Sequence, residues 1–108
     1  MNKAYILTFD KGGVFDRFDY LKFHQQLIKS PNIVDWFHYL ENSYILILPY
    51  NIKSNYVSDI WQNIGNKRFS FVCELDINNC NGWLPPEAWE WIKKHQTLKN
   101  NPWSGGVF

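Results

Sequence analysis

The sequence predicts an α+β fold whose strands and helices follow the order βαββαβ, with a third helix added at the C-terminal side. Three observations carry that expectation. A short run near the N-terminus is apolar on both faces, two later segments repeat apolar residues at helical spacing, and a third segment opens on a proline pair. With 108 residues, the chain has material for one compact domain and a short tail.

The elements follow in order. Residues 4–10 (AYILTFD) are β-branched and aromatic and stop at Lys11-Gly12-Gly13, as a strand in the middle of a sheet does. From residue 16 to 29, Tyr20, Leu21, Phe23, Leu27 and Ile28 recur at helical spacings, with Asp16 or Asp19 available as a cap and Ser30-Pro31 as a stop. Residues 34–40 and 44–48 are two strand-like runs joined by Glu41-Asn42-Ser43, a connection of hairpin length. Ser54 suits the start of a second helix carrying Val57, Ile60, Trp61 and Ile64, closed by Gly65-Asn66. Residues 68–76 alternate, with Phe69, Phe71 and Cys73 opposite Ser70, Val72 and Glu74, and give a fourth strand. Pro85 and Pro86 then suit the first turn of a third helix, with Glu87 and Glu90 near its positive end and Lys93, Lys94 and His95 near its negative end. Residues 97–108 show no period, so the expected division is a domain over 1–96 and an irregular tail over 97–108.

This order is the ferredoxin-like one: a four-stranded antiparallel sheet with both main helices on one face. The other face is left to solvent unless a second copy, or the third helix with Trp83, Trp89 and Trp91, covers it. Homodimerisation is therefore expected.

Composition narrows the function. A formal charge of +1 does not supply the field of a protein held mainly by nucleic-acid phosphates. Cys73 and Cys80 cannot build a disulfide framework or, without C-x-x-C spacing or a histidine cluster, a zinc site. The N-terminal apolar stretch contains Asp10 and ends in glycines, unlike a signal peptide or a membrane span, so a cytoplasmic protein with no membrane partner is expected. There is no phosphate-binding glycine loop, G-x-S-x-G elbow or metalloprotease motif.

Three segments carry a resemblance: Tyr5-Ile6-Leu7-Thr8-Phe9-Asp10, a first strand ending in Asp; Trp36-Phe37-His38-Tyr39-Leu40-Glu41-Asn42-Ser43, leading into an apolar strand; and Gly82-Trp83-Leu84-Pro85-Pro86-Glu87-Ala88-Trp89-Glu90-Trp91. From about Tyr5 to His95 the chain resembles the small SinR-like proteins, themselves similar to the dimeric nuclease of CRISPR adaptation. The resemblance implies a ferredoxin-like fold and a homodimer in which the Asp ending each first strand faces its mate. There Asp10 would hold a divalent metal, Mg²⁺ or Mn²⁺, for cleavage of RNA or DNA. The adaptation nucleases commonly carry polar and basic residues just after that Asp, where this chain has Lys11-Gly12-Gly13-Val14-Phe15.

The candidate catalytic residues are thus Asp10, His38 and Ser43, with Asp10 also the candidate metal ligand. A carboxylate at the end of a buried central strand suits Mg²⁺, which needs only one or two protein oxygens beside substrate phosphates. Asp10 also suits a cap on the Lys11-Gly12-Gly13 turn. His38 fits a proton donor and Ser43 a phosphate contact, or each an ordinary role at a hairpin. Trp36, Trp61, Trp89 and Trp91 are expected to pack in a core or dimer interface, and Trp83 with Leu84 to clamp a partner subunit. The alternative to a nuclease is a non-catalytic dimeric module that binds protein or nucleic acid.

Overall fold

The computed structural model describes residues 2–10, 20–64 and 68–96, with the side chains of Tyr20 and Ile64 left aside. Asp16, Asp19, Gly65-Asn66 and the tail over 97–108 lie outside the described residues. The elements are β1 (Asn2–Phe9), α1 (Tyr20–Lys29), β2 (Asp35–Leu40), β3 (Ser43–Pro49), α2 (Ser54–Ile64), β4 (Ser70–Leu75) and α3 (Pro86–His95). The fold is α+β, with four strands in the order β2-β3-β1-β4 and every neighbouring pair antiparallel. Two compact units divide the chain, Met1–Leu75 and Asp76–Phe108.

In the first unit, β1 is central, as its two apolar faces require, pairing with β3 from Asn2↔Pro49 to Thr8↔Ser43 and with β4 from Ala4↔Leu75 to Phe9↔Ser70. The period of two sends Tyr5, Leu7 and Phe9 to one face, where they meet Tyr44, Leu46 and Leu48 of β3 and Phe23, Leu27, Val57 and Trp61 of the helices. The centre of this core is aromatic. The Phe9 ring lies 4.6 Å from Trp61 and 6.0 Å from Phe23, and Phe23 meets Trp61 edge-on at 4.9 Å. Its polar tips are satisfied: Tyr5 Oη donates to the Ile52 carbonyl at 2.7 Å and Trp61 Nε1 to the Arg68 carbonyl at 2.9 Å.

Only part of the helical stripe expected of α1 is core. Phe23 and Leu27 are buried, whereas Leu21 is 70% exposed and Ile28 38%. By the step of about 100° per residue, Leu21 and Ile28 lie nearly opposite Phe23 on the helix, so the apolar residues form two stripes and the sheet takes one.

The hairpin turns on Glu41 and Asn42 alone, with Leu40 facing Ser43. Between Phe37↔Ile45 and Leu40↔Ser43 the register slips, so that His38 and Tyr39 share the space opposite Tyr44.

In the second unit, Asp76 closes a turn by accepting the Asn78 N–H on Oδ1 at 3.0 Å and the Asn79 N–H on its carbonyl at 3.0 Å. The Ile77 carbonyl accepts Gln96 Nε2 at 3.1 Å and Cys80 Sγ at 3.4 Å, tying this loop to the end of α3. Pro85 caps α3 in an extended conformation and Pro86 fills its first turn, with Glu87 and the Lys93, Lys94, His95 cluster at the ends that the helix dipole favours. Among the described residues, no helix is long and apolar enough to cross a membrane.

Candidate functional site

Asp10 follows directly on the central strand, and its N–H donates to the Phe69 carbonyl at 3.0 Å, extending the ladder one residue beyond β4. It is exposed. Together with Thr8, Phe9, Phe69, Ser70 and Phe71 it lines a shallow, open hollow in the surface.

The walls of that hollow follow from register. Leu7↔Val72 turns Val72 toward the core cluster, so Phe71 and Cys73 point to the other face, with Phe71 opposite Thr8. Phe71 is 64% exposed and Phe69 83%. Strand β4 therefore gives its smaller and more polar side chains, Ser70, Val72 and Glu74, to the helix-covered face and keeps its phenylalanine on the other. Elsewhere on that second face, Ala4, Phe37 and Ile47 are buried.

Ser43 faces Thr8 across the ladder, and the Phe9 N–H donates to the Asn42 carbonyl at 3.0 Å, so the hairpin turn and Asp10 share one end of the sheet. His38 joins that end through its Nδ1–H, which donates to the Ser43 carbonyl at 2.8 Å and fixes the tautomer. The His38 ring stacks at 4.1 Å and 12° on buried Tyr44, a residue of the core-facing side. Neither His38 nor Ser43 lines the hollow that holds Asp10.

A second polar cluster lies beneath α1. Tyr44 Oη is 2.7 Å from His24 Nδ1, and the His24 ring meets Trp36 edge-on at 4.9 Å. Burial, and next the charge on His38, lower the pKa of His24 from its ordinary value. The sequence places His24 on the apolar side of its helix; its partner Tyr44, twenty residues on, is visible only once α1 lies across the sheet. At the β4 edge, Lys3 pairs with Glu74 at 3.1 Å, and that hydrogen bond raises the lysine pKa.

Cys73 and Cys80 are free thiols. Burial, and next the nearby Asp76 carboxylate, raise the pKa of Cys80, the opposite of an activated nucleophile. Among the described residues, no group of three His, Cys, Asp or Glu is placed to hold a metal.

Trp83, in the second unit, is 99% exposed immediately before Leu84-Pro85-Pro86. No family model, curated protein or solved structure matches the chain.

Proposed function

We propose that the chain is a ferredoxin-like protein of the SinR-like kind that works as a homodimeric interaction module, with its contact surface around Asp10. The observation that carries this reading is the inverted polarity of β4. A strand gains by turning its largest apolar side chains toward the core, yet here Phe71, with Phe69 just before the strand, faces water while Ser70, Val72 and Glu74 take the helix side. Exposed rings grouped on one edge strand are what a protein partner covers. The order β2-β3-β1-β4, all antiparallel, supports the ferredoxin-like reading. The charge of +1 and the Asp10 carboxylate favour a protein partner over nucleic-acid phosphates.

One observation favours a second reading, that of a metal-dependent endonuclease. Asp10 is an exposed carboxylate at the end of the central strand, where a divalent cation bridging two copies would take one carboxylate from each. One carboxylate per chain fits Mg²⁺ only in such a pair, with substrate phosphate oxygens completing the shell.

Sedimentation velocity combined with a cleavage assay tests both readings. A wild-type dimer that leaves single- and double-stranded RNA and DNA intact with Mg²⁺ or Mn²⁺ supports the module. Metal-dependent cleavage that is absent from Asp10→Ala and from chelated samples replaces it with the nuclease. A chain that stays monomeric and cleaves nothing refutes both.

A further inference from the structure

The sheet ends in two edge strands, β2 and β4. Native edges are blunted by bulges or charges, because a regular one offers its free N–H and C=O groups to any strand that fits. β2 is blunted: its register slips between Phe37 and Leu40. β4 runs without a slip from Ala4↔Leu75 to Phe9↔Ser70, and the one charge in its SFVCEL, Glu74, is engaged by Lys3 at 3.1 Å. Among the described residues no strand lies on its outer side.

The direction of its free groups follows from the ladder. The Asp10 N–H donates to the Phe69 carbonyl, so Phe69, and by alternation Phe71, Cys73 and Leu75, turn their backbone groups toward β1. Ser70, Val72 and Glu74 turn theirs outward. An incoming antiparallel strand therefore exchanges bonds with those three residues, while its side chains on the open face meet exposed Phe71 and Cys73, with exposed Phe69 beside them.

One register of β4 against itself satisfies both sets at once. With a two-fold axis at Val72, Val72 meets Val72 of the second copy and Ser70 meets Glu74 in each direction: three bonded pairs, about six hydrogen bonds at two per pair. Between them Phe71 meets Cys73 and Phe69 meets Leu75, so each ring packs on a smaller apolar side chain. Moving the axis to Phe71 or Cys73 leaves two bonded pairs within the strand, and moving it to Glu74 sets two carboxylates face to face.

We propose that β4 pairs with β4 of a second copy in this register, joining two four-stranded sheets into one. A second copy is favoured over a foreign strand because the edge itself meets each of its own requirements: bond direction, a small side chain opposite each ring, a hydroxyl opposite each carboxylate. The paired backbones with Phe69 and Phe71 of each copy bury on the order of 1,000 Å², near the lower end of specific interfaces. The two Asp10 residues then stand beside opposite ends of the joined strands, roughly 20 Å apart, too far for one cation to bridge. This inference rests on the module reading and gives its contact a register.

The test reads that register by cross-linking. Every chain carries Cys80→Ser, so that Cys73 is the one native thiol left. Phe71→Cys puts a thiol directly opposite Cys73 of the other copy, within disulfide reach. In a glutathione redox buffer, which captures even a sparse pair, it should give roughly tenfold more covalent dimer than two controls. These are the parent chain and Phe71→Cys combined with Cys73→Ser, whose thiols stand on diagonals of roughly 8 Å. Ser70→Pro removes an outward N–H at the first position of the strand, where proline spares the β1 ladder. Its dissociation constant, from sedimentation, should rise roughly tenfold to a hundredfold, with circular dichroism melts checking that it folds. The cross-link decides alone if Ser70→Pro does not fold. Cross-linking of Phe71→Cys no greater than that of its controls overturns the inference, and so does a folded Ser70→Pro chain as dimeric as wild type; either result beside a wild-type dimer leaves the module reading standing. A wild-type chain that is monomeric at its highest soluble concentration overturns both.

Discussion

Replacing Trp61 by Phe tests how the core holds the candidate site. Trp61 is 1% exposed, its ring lies 4.6 Å from Phe9 and 4.9 Å from Phe23, and its Nε1–H donates to the Arg68 carbonyl at 2.9 Å. Arg68 immediately precedes Phe69, whose own carbonyl receives the Asp10 N–H. One indole therefore anchors the backbone that forms a wall of the hollow. Trp61→Phe keeps an aromatic ring in the cluster but leaves the Arg68 carbonyl without its indole donor, at about 1–2 kcal/mol, and opens a void that adds a similar amount. The expected loss is about 2–3 kcal/mol, read from urea denaturation followed by far-ultraviolet circular dichroism. For a chain of this size the melting temperature should fall by roughly 10–20 °C. Amide exchange should speed up at Asp10 more than at Leu7, because the Asp10 N–H depends on the loosened segment. A loss below about 0.5 kcal/mol, the scale of a surface substitution, would refute this anchoring role.

Three further outcomes are expected. His24 has its folded pKa below the ordinary value, so folding favours the neutral ring; that stability is fully present above about pH 6.5 and is lost as pH falls through the folded pKa. The urea midpoint should drop from pH 8 to pH 5, and His24→Gln should flatten the part of that slope belonging to this residue; an unchanged slope excludes His24 as its source. Leu27→Ala should cost about 2–5 kcal/mol while Leu21→Ala stays within about 0.5 kcal/mol, and equal losses would mean that α1 presents a different face to the sheet. Tyr5→Phe removes the donor to the Ile52 carbonyl and should cost about 1–2 kcal/mol with the far-ultraviolet spectrum unchanged; a neutral result would show that water replaces the hydroxyl at that carbonyl.

The elements could be read from the chain because their signals are local. Alternation, helical spacing and the Pro85-Pro86 start each arise within a few residues, and β1 announces its central place by being apolar on both sides. What local signals could not give is the choice between faces. In α1, Leu21 and Ile28 make as good an apolar stripe as Phe23 and Leu27, and only the sheet decides which is buried. In β4 the alternation is plain, but its more apolar side is the one left outside, because the Leu7↔Val72 register fixes the other toward the helices. The site shows the same division. Asp10 at the end of a strand is legible from AYILTFD followed by Lys11-Gly12-Gly13. The hollow over it is not, since its walls come from residues sixty positions away. His38 beside Ser43 is predictable from a short hairpin, but the one-residue slip that lays its ring on Tyr44, out of the Asp10 hollow, is a tertiary event.

The two readings of Asp10 compete for one carboxylate, which makes them separable in solution. A cation held between two copies needs the Asp10 oxygens turned toward each other, whereas an interface that packs around Asp10 without a metal excludes the water that a Mg²⁺ shell retains. If the surface packs against its mate without a metal, Mg²⁺ leaves the dimer unchanged, and Asp10→Asn, which keeps the size of the side chain and an acceptor, dimerises better than Asp10→Ala. If two carboxylates share a metal, Mg²⁺ tightens the dimer and Asp10→Asn weakens it nearly as much as Asp10→Ala, because the bridging negative charge is gone in both. The ordering of these two variants, with and without the cation, therefore reports which atom faces Asp10 before any substrate is known.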